Sequence, residues 1–200
     1  MELSVDQGKK LVRMAREVIE DFLSKKEVKP RVEEWMREKR GVFVTLKKWP
    51  SGELRGCIGH PYPDEPLVDA IVDSAKSAAV ADPRFPSVRK EEMDSIVVEV
   101  SVLTEPEEIR VDAKNYKKMI KCGRDGLIVK RGFAAGLLLP QVADEFGWDE
   151  KEFLAQTCWK AGLPPDCWLD KETHIYRFQA QVFSEEKPRG EVKADEGSEI

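Results

Sequence analysis

The sequence predicts an α+β fold, with helices and antiparallel sheets built from separate stretches of the chain. Three observations carry this. Apolar residues recur at helical spacing over residues 5–24. Two short β-type runs, residues 42–46 and 54–58, flank a stretch of turn chemistry. Residues from about 106 to 172 repeat the mixture of short helices and a hairpin as a unit of their own. A chain of 200 residues can bury a sizeable core and suits one or two domains.

The elements follow in order. Ser4-Val5-Asp6-Gln7 has the form of a capping box, and Leu11, Ala15, Val18, Ile19 and Phe22 give the following helix its apolar stripe. A short helix is expected after Pro30, with Val32, Trp35 and Met36 on its apolar side. Val42 to Leu46 is β-branched and aromatic, Trp49-Pro50-Ser51-Gly52 is a turn, and Leu54 to Ile58 returns, so the pair reads as a hairpin. Asp64 is the expected N-cap of a helix over about 65–80, which Pro83 closes off. In Ser95–Leu103 apolar residues fill both alternating sets, which predicts a central strand covered on both faces.

Asn115 to Cys122 is a short helix candidate. Gly126–Val129 and Phe133–Leu139 flank Lys130-Arg131-Gly132 and read as a second hairpin. Pro140 starts a helix that Gly147 closes. Asp149 caps another, with Glu152 as its box partner, Phe153, Leu154, Cys158 and Ala161 as its buried stripe, and Gly162 as its stop. Thr173 to Phe183 reads as one last strand, and the Glu-, Lys- and Gly-rich segment from Glu185 onward is expected to fray. The resulting division is 1–105 with 173–185, then 106–172, then a flexible acidic tail over 186–200.

Composition narrows the function classes. Charged residues make up 36% of the chain and carry both signs, as in the surface ion-pair networks of proteins from hot environments. The net charge of −5 argues against a dedicated nucleic-acid binder. The basic run Lys117 to Arg131 reads as a solvated face balanced by acidic segments. No apolar stretch is long enough to span a membrane and the start lacks a secretory pattern, so the expected compartment is the cytoplasm. Four cysteines are too few for a disulfide scaffold. Reduced thiols are the default, with one bridge left open. Two histidines and no Cys-x-x-Cys leave no expected metal site, and no phosphate-binding motif points to a cofactor.

The most unusual segment is Leu54-Arg55-Gly56-Cys57-Ile58-Gly59. On a strand, Arg55 and Cys57 share one face, with Gly59 leaving space beyond them; Leu54, Gly56 and Ile58 share the other. A guanidinium beside Cys57 would favour its thiolate. The residue types admit two readings: a reactive or ligand-facing thiol, or a small buried hydrophobe with glycines that relieve packing.

These six residues are identical to the signature of the AMMECR domain family, which the chain resembles. Gly41–Leu46, Ala81-Asp82-Pro83-Arg84-Phe85, Val98–Leu103, Leu138–Ala143 and Lys160–Leu163 also look like family blocks, so the resemblance spans about residues 5–185. It implies two α+β lobes, each with an antiparallel sheet and helices, separated by a cleft that the signature strand faces. It implies no established activity. The family's association with a Memo-like, dioxygenase-related family and a radical S-adenosylmethionine family implies a shared pathway and assigns no reaction.

Beside the signature, Asp82 and Arg84 could join Arg55 in an acid–base network or form a structural ion pair. Glu99, on a covered strand, needs a partner such as an arginine. Gln141, at a helix start, could offer its amide to a ligand or act as a cap. Two functions follow. One is a binding module whose cleft holds a protein or other large ligand, with Leu54, Gly56, Ile58, Gly59, Asp82, Arg84 and Gln141 as contacts. The other is an enzyme acting on a protein- or peptide-sized substrate, with Cys57 as nucleophile or ligand contact, Arg55 lowering its pKa or binding an anion, and Glu99 or Asp82 handling protons.

Overall fold

The computed structural model describes residues 2–194. The chain forms two compact units. One comprises the residues up to Leu103 and those from Gln181 on; the other is Thr104–Ala180.

The first unit is a five-stranded sheet with two helices. α1 (Val5–Leu23) starts at the expected capping box: the Gln7 amide donates to Ser4 Oγ at 3.2 Å and the Ser4 amide to Gln7 Oε1 at 2.8 Å. After it, the segment expected as a short helix is a single 3-10 turn, Glu34–Arg37, which buries Met36 but leaves Val32 exposed. β1 (Val42–Lys48) and β2 (Leu54–His60) form the antiparallel hairpin. α2 (Leu67–Val80) begins beyond Asp64; Pro66 occupies the cap position and no side chain caps it. β3 (Ile96–Leu103) is buried along its whole length and pairs antiparallel with β1. Val42, Val44, Leu46, Val98, Val100 and Val102 form a core with Leu11, Ala15 and Ile19 of α1 and Ile71 and Ala75 of α2. Arg16 ties α1 to the sheet: its guanidinium meets the Glu185 carboxylate at 2.5 Å, and that carboxylate also accepts the Val98 amide at 3.0 Å.

The second unit holds four strands, β4 (Glu107–Glu108), β5 (Gly126–Arg131), β6 (Ala134–Leu138) and β7 (His174–Phe178), in the order β4-β7-β5-β6. α3 (Tyr116–Met119) is a single turn, shorter than the segment 115–122 predicted. α4 (Pro140–Phe146) ends at Gly147, whose φ of 64° suits the residue without a Cβ. α5 (Glu150–Lys160) is capped by Asp149, whose side chain accepts the Glu152 amide at 2.7 Å; the Glu152 carboxylate accepts from Gln156 instead of closing a box. Leu127, Val129, Phe153, Leu154 and Ile175 centre this core. Cys158 and Cys167 within it are joined by a disulfide, so the default of four reduced thiols is corrected; Cys57 and Cys122 are free.

Two further expectations change. The single strand predicted over Thr173–Phe183 is two, β7 and β8 (Ala180–Glu185), and they lie in different sheets. Gln179 makes the break, donating its amide to Thr104 Oγ1 at 2.8 Å and accepting from the Thr104 amide at 2.9 Å. The segment after Glu185 does not simply fray. β9 (Val192–Ala194) pairs antiparallel with β8 at the edge of the first sheet, whose order is β2-β1-β3-β8-β9. Residues 195–200 of the expected tail lie outside the described residues.

Candidate functional site

The signature is strand β2, the edge of the first sheet. Thr45 of β1 stands opposite Cys57 of β2 and opposite Glu99 of β3. Residues directly opposite share a face, so Cys57, Thr45 and Glu99 form a polar row across three strands. Thr45 Oγ1 donates to the Cys57 sulfur at 3.3 Å, and Lys47 Nζ donates to Glu99 Oε2 at 2.6 Å. Lys47 is thus a partner of buried Glu99, where the sequence suggested an arginine.

The other face of β2 packs towards the helices. Ile58 contacts the helix-side core, and a Cβ on Gly56 would lie 2.2 Å from the Ala78 carbonyl oxygen of α2. Gly56 is needed for that close approach, and neither it nor Ile58 shares the Cys57 face. Leu54 is exposed at the strand's start. Gly59 leaves no open space: its Cβ would fall 2.5 Å from the Phe43 ring, which already covers it.

An edge strand leaves backbone groups unpaired on its outer side. At Cys57 the segment after α2 supplies partners. The Cys57 amide donates to Asp82 Oδ2 at 2.9 Å, and Arg84 Nη2 donates to the Cys57 carbonyl at 3.2 Å. Arg84 is locked to Asp82 by Nε–Oδ1 and Nη2–Oδ2 bonds of 2.9 and 2.7 Å. Its hydrogen bonds hold the Asp82 carboxyl down at about 2, although burial opposes this. The Asp82–Arg84 pair therefore satisfies the outward backbone groups of Cys57 at the sheet edge.

The activating role expected of Arg55 is not what the geometry gives. Its guanidinium is buried and spent on Glu92 Oε2 at 3.1 Å and the Pro86 carbonyl at 2.9 Å. The cation acting on Cys57 is Arg84. Burial pushes the thiol above its ordinary range. The Thr45 hydrogen bond and the Arg84 charge oppose that shift, and the charges of Glu99 and Asp82 add to it. Gln141 lies in the second unit, half-buried in the first turn of α4. Thr45 and Lys47 are the site residues that sequence reasoning missed. Among the described residues no cluster of His, Cys, Asp and Glu is arranged to hold a metal ion, and no helix is long and apolar enough to cross a membrane.

Fold and site together define an α+β protein whose signature cysteine is set in an edge strand and clipped there by an Asp-Pro-Arg turn. Comparison with known proteins gives the family. The AMMECR1 family model matches residues 12–183, and the chain belongs to that family. It is 58% identical over 192 residues to a protein of Pyrococcus furiosus, covering 93% of this chain and 91% of that one. It is 57% identical over 192 residues to a protein of Methanocaldococcus jannaschii, covering 95% and 96%. The crystal structure of an uncharacterised protein from Pyrococcus horikoshii superposes with a TM-score of 0.90 at 56% identity, covering 94% of this chain and 96% of that one.

Proposed function

We propose that the protein is a binding module for a protein or other large ligand, with the polar face around Cys57 as part of its contact surface. The observation that carries this reading is the setting of the thiol. Burial keeps it protonated, the Thr45 hydroxyl points at its sulfur, and Asp82 and Arg84 fix its backbone. A nucleophilic cysteine needs a base or a field that favours the thiolate. Arg55, placed to supply that field, is spent on Glu92. What the face offers instead is fixed polar contact: Arg84 is 52% exposed along its side chain, and Lys47 is 36% exposed beside Glu99. Gln141 remains a contact candidate in the second unit.

A second reading rests on the charge of Arg84, which favours the thiolate. Cys57 would then be the nucleophile toward a protein- or peptide-sized substrate, with Arg84 in the role first given to Arg55 and Glu99 handling protons. Iodoacetamide labelling of the folded protein separates the two. The binding reading expects Cys57 and Cys122 both to label slowly at pH 7. Fast labelling of Cys57 that Arg84→Gln abolishes would show an activated thiol, remove the observation that carries the binding reading, and favour the enzyme reading.

A further inference from the structure

The second unit leaves one sheet edge unguarded. Edge strands expose backbone donors and acceptors, and proteins blunt them with charge, proline, bulges or short length. The other three edges of the two sheets follow that rule. β2 meets the Asp82–Arg84 pair at Cys57, β4 is two residues long and both are glutamates, and β9 has three residues with Lys193 at its middle. β6 does not. Its five residues, Ala-Ala-Gly-Leu-Leu, hold no charge and no proline, and their register with β5 runs without a bulge. Gly132 and Phe133 form a two-residue turn, with Gly132 at a φ of 58°, so the pair that closes it, Arg131 and Ala134, is a hydrogen-bonded one. Alternation then turns the backbone groups of Ala135 and Leu137 away from β5, and among the described residues no hydrogen bond reaches them from that side.

A groove runs beside this edge. α5 turns Phe153, Leu154, Thr157 and Cys158 into the core and closes on β6 at Gly136, where a Cβ would sit 2.3 Å from the Ala161 nitrogen. Outside that stripe, Gln156, Trp159 and Lys160 line a groove of about 240 Å³ with Leu138 of β6 and Trp148. Trp159 is 70% exposed, so core packing does not explain a tryptophan there. Gly136 and Leu138 share a face, and a strand added to β6 points alternate side chains to that face, over the groove. The volume suits a bulky side chain. Of the lining residues only Lys160 carries a charge, and among the described residues it has no ionic partner, so it favours a carboxylate on the occupant. A second copy of the chain does not fit. Antiparallel pairing of two β6 strands through Ala135 and Leu137 sets Leu138 opposite Gly132, Ala134 or Gly136, none of which fills the groove.

We propose that β6 takes an extended segment of a partner protein as an added strand, whose backbone pairs with Ala135 and Leu137 while one bulky apolar side chain enters the groove at Trp148 and Trp159 and an acidic one reaches Lys160. Main-chain bonds supply affinity in this mode, and alternate side chains supply specificity. The proposal does not depend on the role of Cys57. It is tested by selecting a random linear peptide library on the intact protein, with Trp159→Ala as the counter-screen. Enriched peptides should pair a bulky apolar residue with a nearby aspartate or glutamate. In a synthetic copy of the most enriched one, N-methylation of the backbone at alternate positions should cost roughly tenfold or more in affinity, and methylation between them should be tolerated. Its binding should slow amide hydrogen exchange at Ala135 and Leu137. Trp159→Ala should weaken it roughly tenfold or more and Lys160→Glu several-fold, with thermal melts of both variants matching the parent. No enrichment over the counter-screen, enrichment of basic peptides, binding indifferent to N-methylation or without protection of the two amides, or a free protein already dimeric with both amides protected, overturns the proposal.

Discussion

Asp82→Asn removes the charge that holds the Asp82–Arg84 clip while keeping an oxygen for the Cys57 amide. Arg84 hydrogen bonds chiefly account for the fall of the Asp82 pKa from 3.8 to about 2. A carboxyl depressed in this way stabilises the fold fully above its unfolded pKa, and the stabilisation disappears as the pH falls from about 4 to about 2. The shift caps the contribution at roughly 2.5 kcal/mol. Arg84 is half exposed, so solvent screening reduces it to about 1–2 kcal/mol. Urea unfolding of parent and variant, followed by circular dichroism at pH 7 and in steps from pH 5 to pH 2, measures it. The variant should be less stable by about 1–2 kcal/mol at pH 7, and the gap should close across the acid window. A gap constant between pH 7 and pH 2, or none at pH 7, would refute the argument.

Three other outcomes follow. Gly56→Ala places a methyl group 2.2 Å from the Ala78 carbonyl oxygen, so α2 must move off β2; the expected loss is about 2 kcal/mol, and an unchanged urea midpoint would show that the close approach is not needed. Arg55→Leu removes the donor to Glu92 Oε2 and to the Pro86 carbonyl, leaving Glu92 its Arg89 contacts, at a cost of about 2 kcal/mol, yet should leave the labelling rate of Cys57 unaltered. A slowed rate would return the activating role to Arg55. Reduction of the Cys158–Cys167 bridge, which spans a sequence separation of 9, should cost the second unit about 2–3 kcal/mol, read as a lower urea midpoint in dithiothreitol.

The helices and hairpins were legible where local chemistry decides them: the box at Ser4 and Gln7, the turn after Lys48, the stop at Gly147. The site was legible only in part. Simple alternation predicts that Arg55 and Cys57 share a face, but Arg55 is the extra residue of the bulge between Leu46 and Lys47, and its guanidinium goes to Glu92 and the Pro86 carbonyl. The clip on Cys57 comes from 25 residues further along and requires knowing that β2 is an edge strand. Thr45 was hidden by the bulge after Leu46. Extending the Lys47–Leu54 pairing without it would set Thr45 opposite Gly56, and the extra residue moves it opposite Cys57. The split at Gln179 left only a weak trace, the break in alternation between Phe178 and Ala180. Val192–Ala194 lies in a segment whose composition suggests fraying, and its strand exists because β8 offers a free edge.

The central claim is that Cys57 is held as a neutral thiol. The direct measurement is its titration in the folded protein, by the Cβ carbon shift of cysteine-labelled material with Cys57→Ser for assignment. The account predicts a midpoint above the roughly 8.5 of a free thiol, moving higher still in Arg84→Gln because the guanidinium opposes the effect of burial. A midpoint below that of a free thiol would contradict it and make Cys57 a nucleophile.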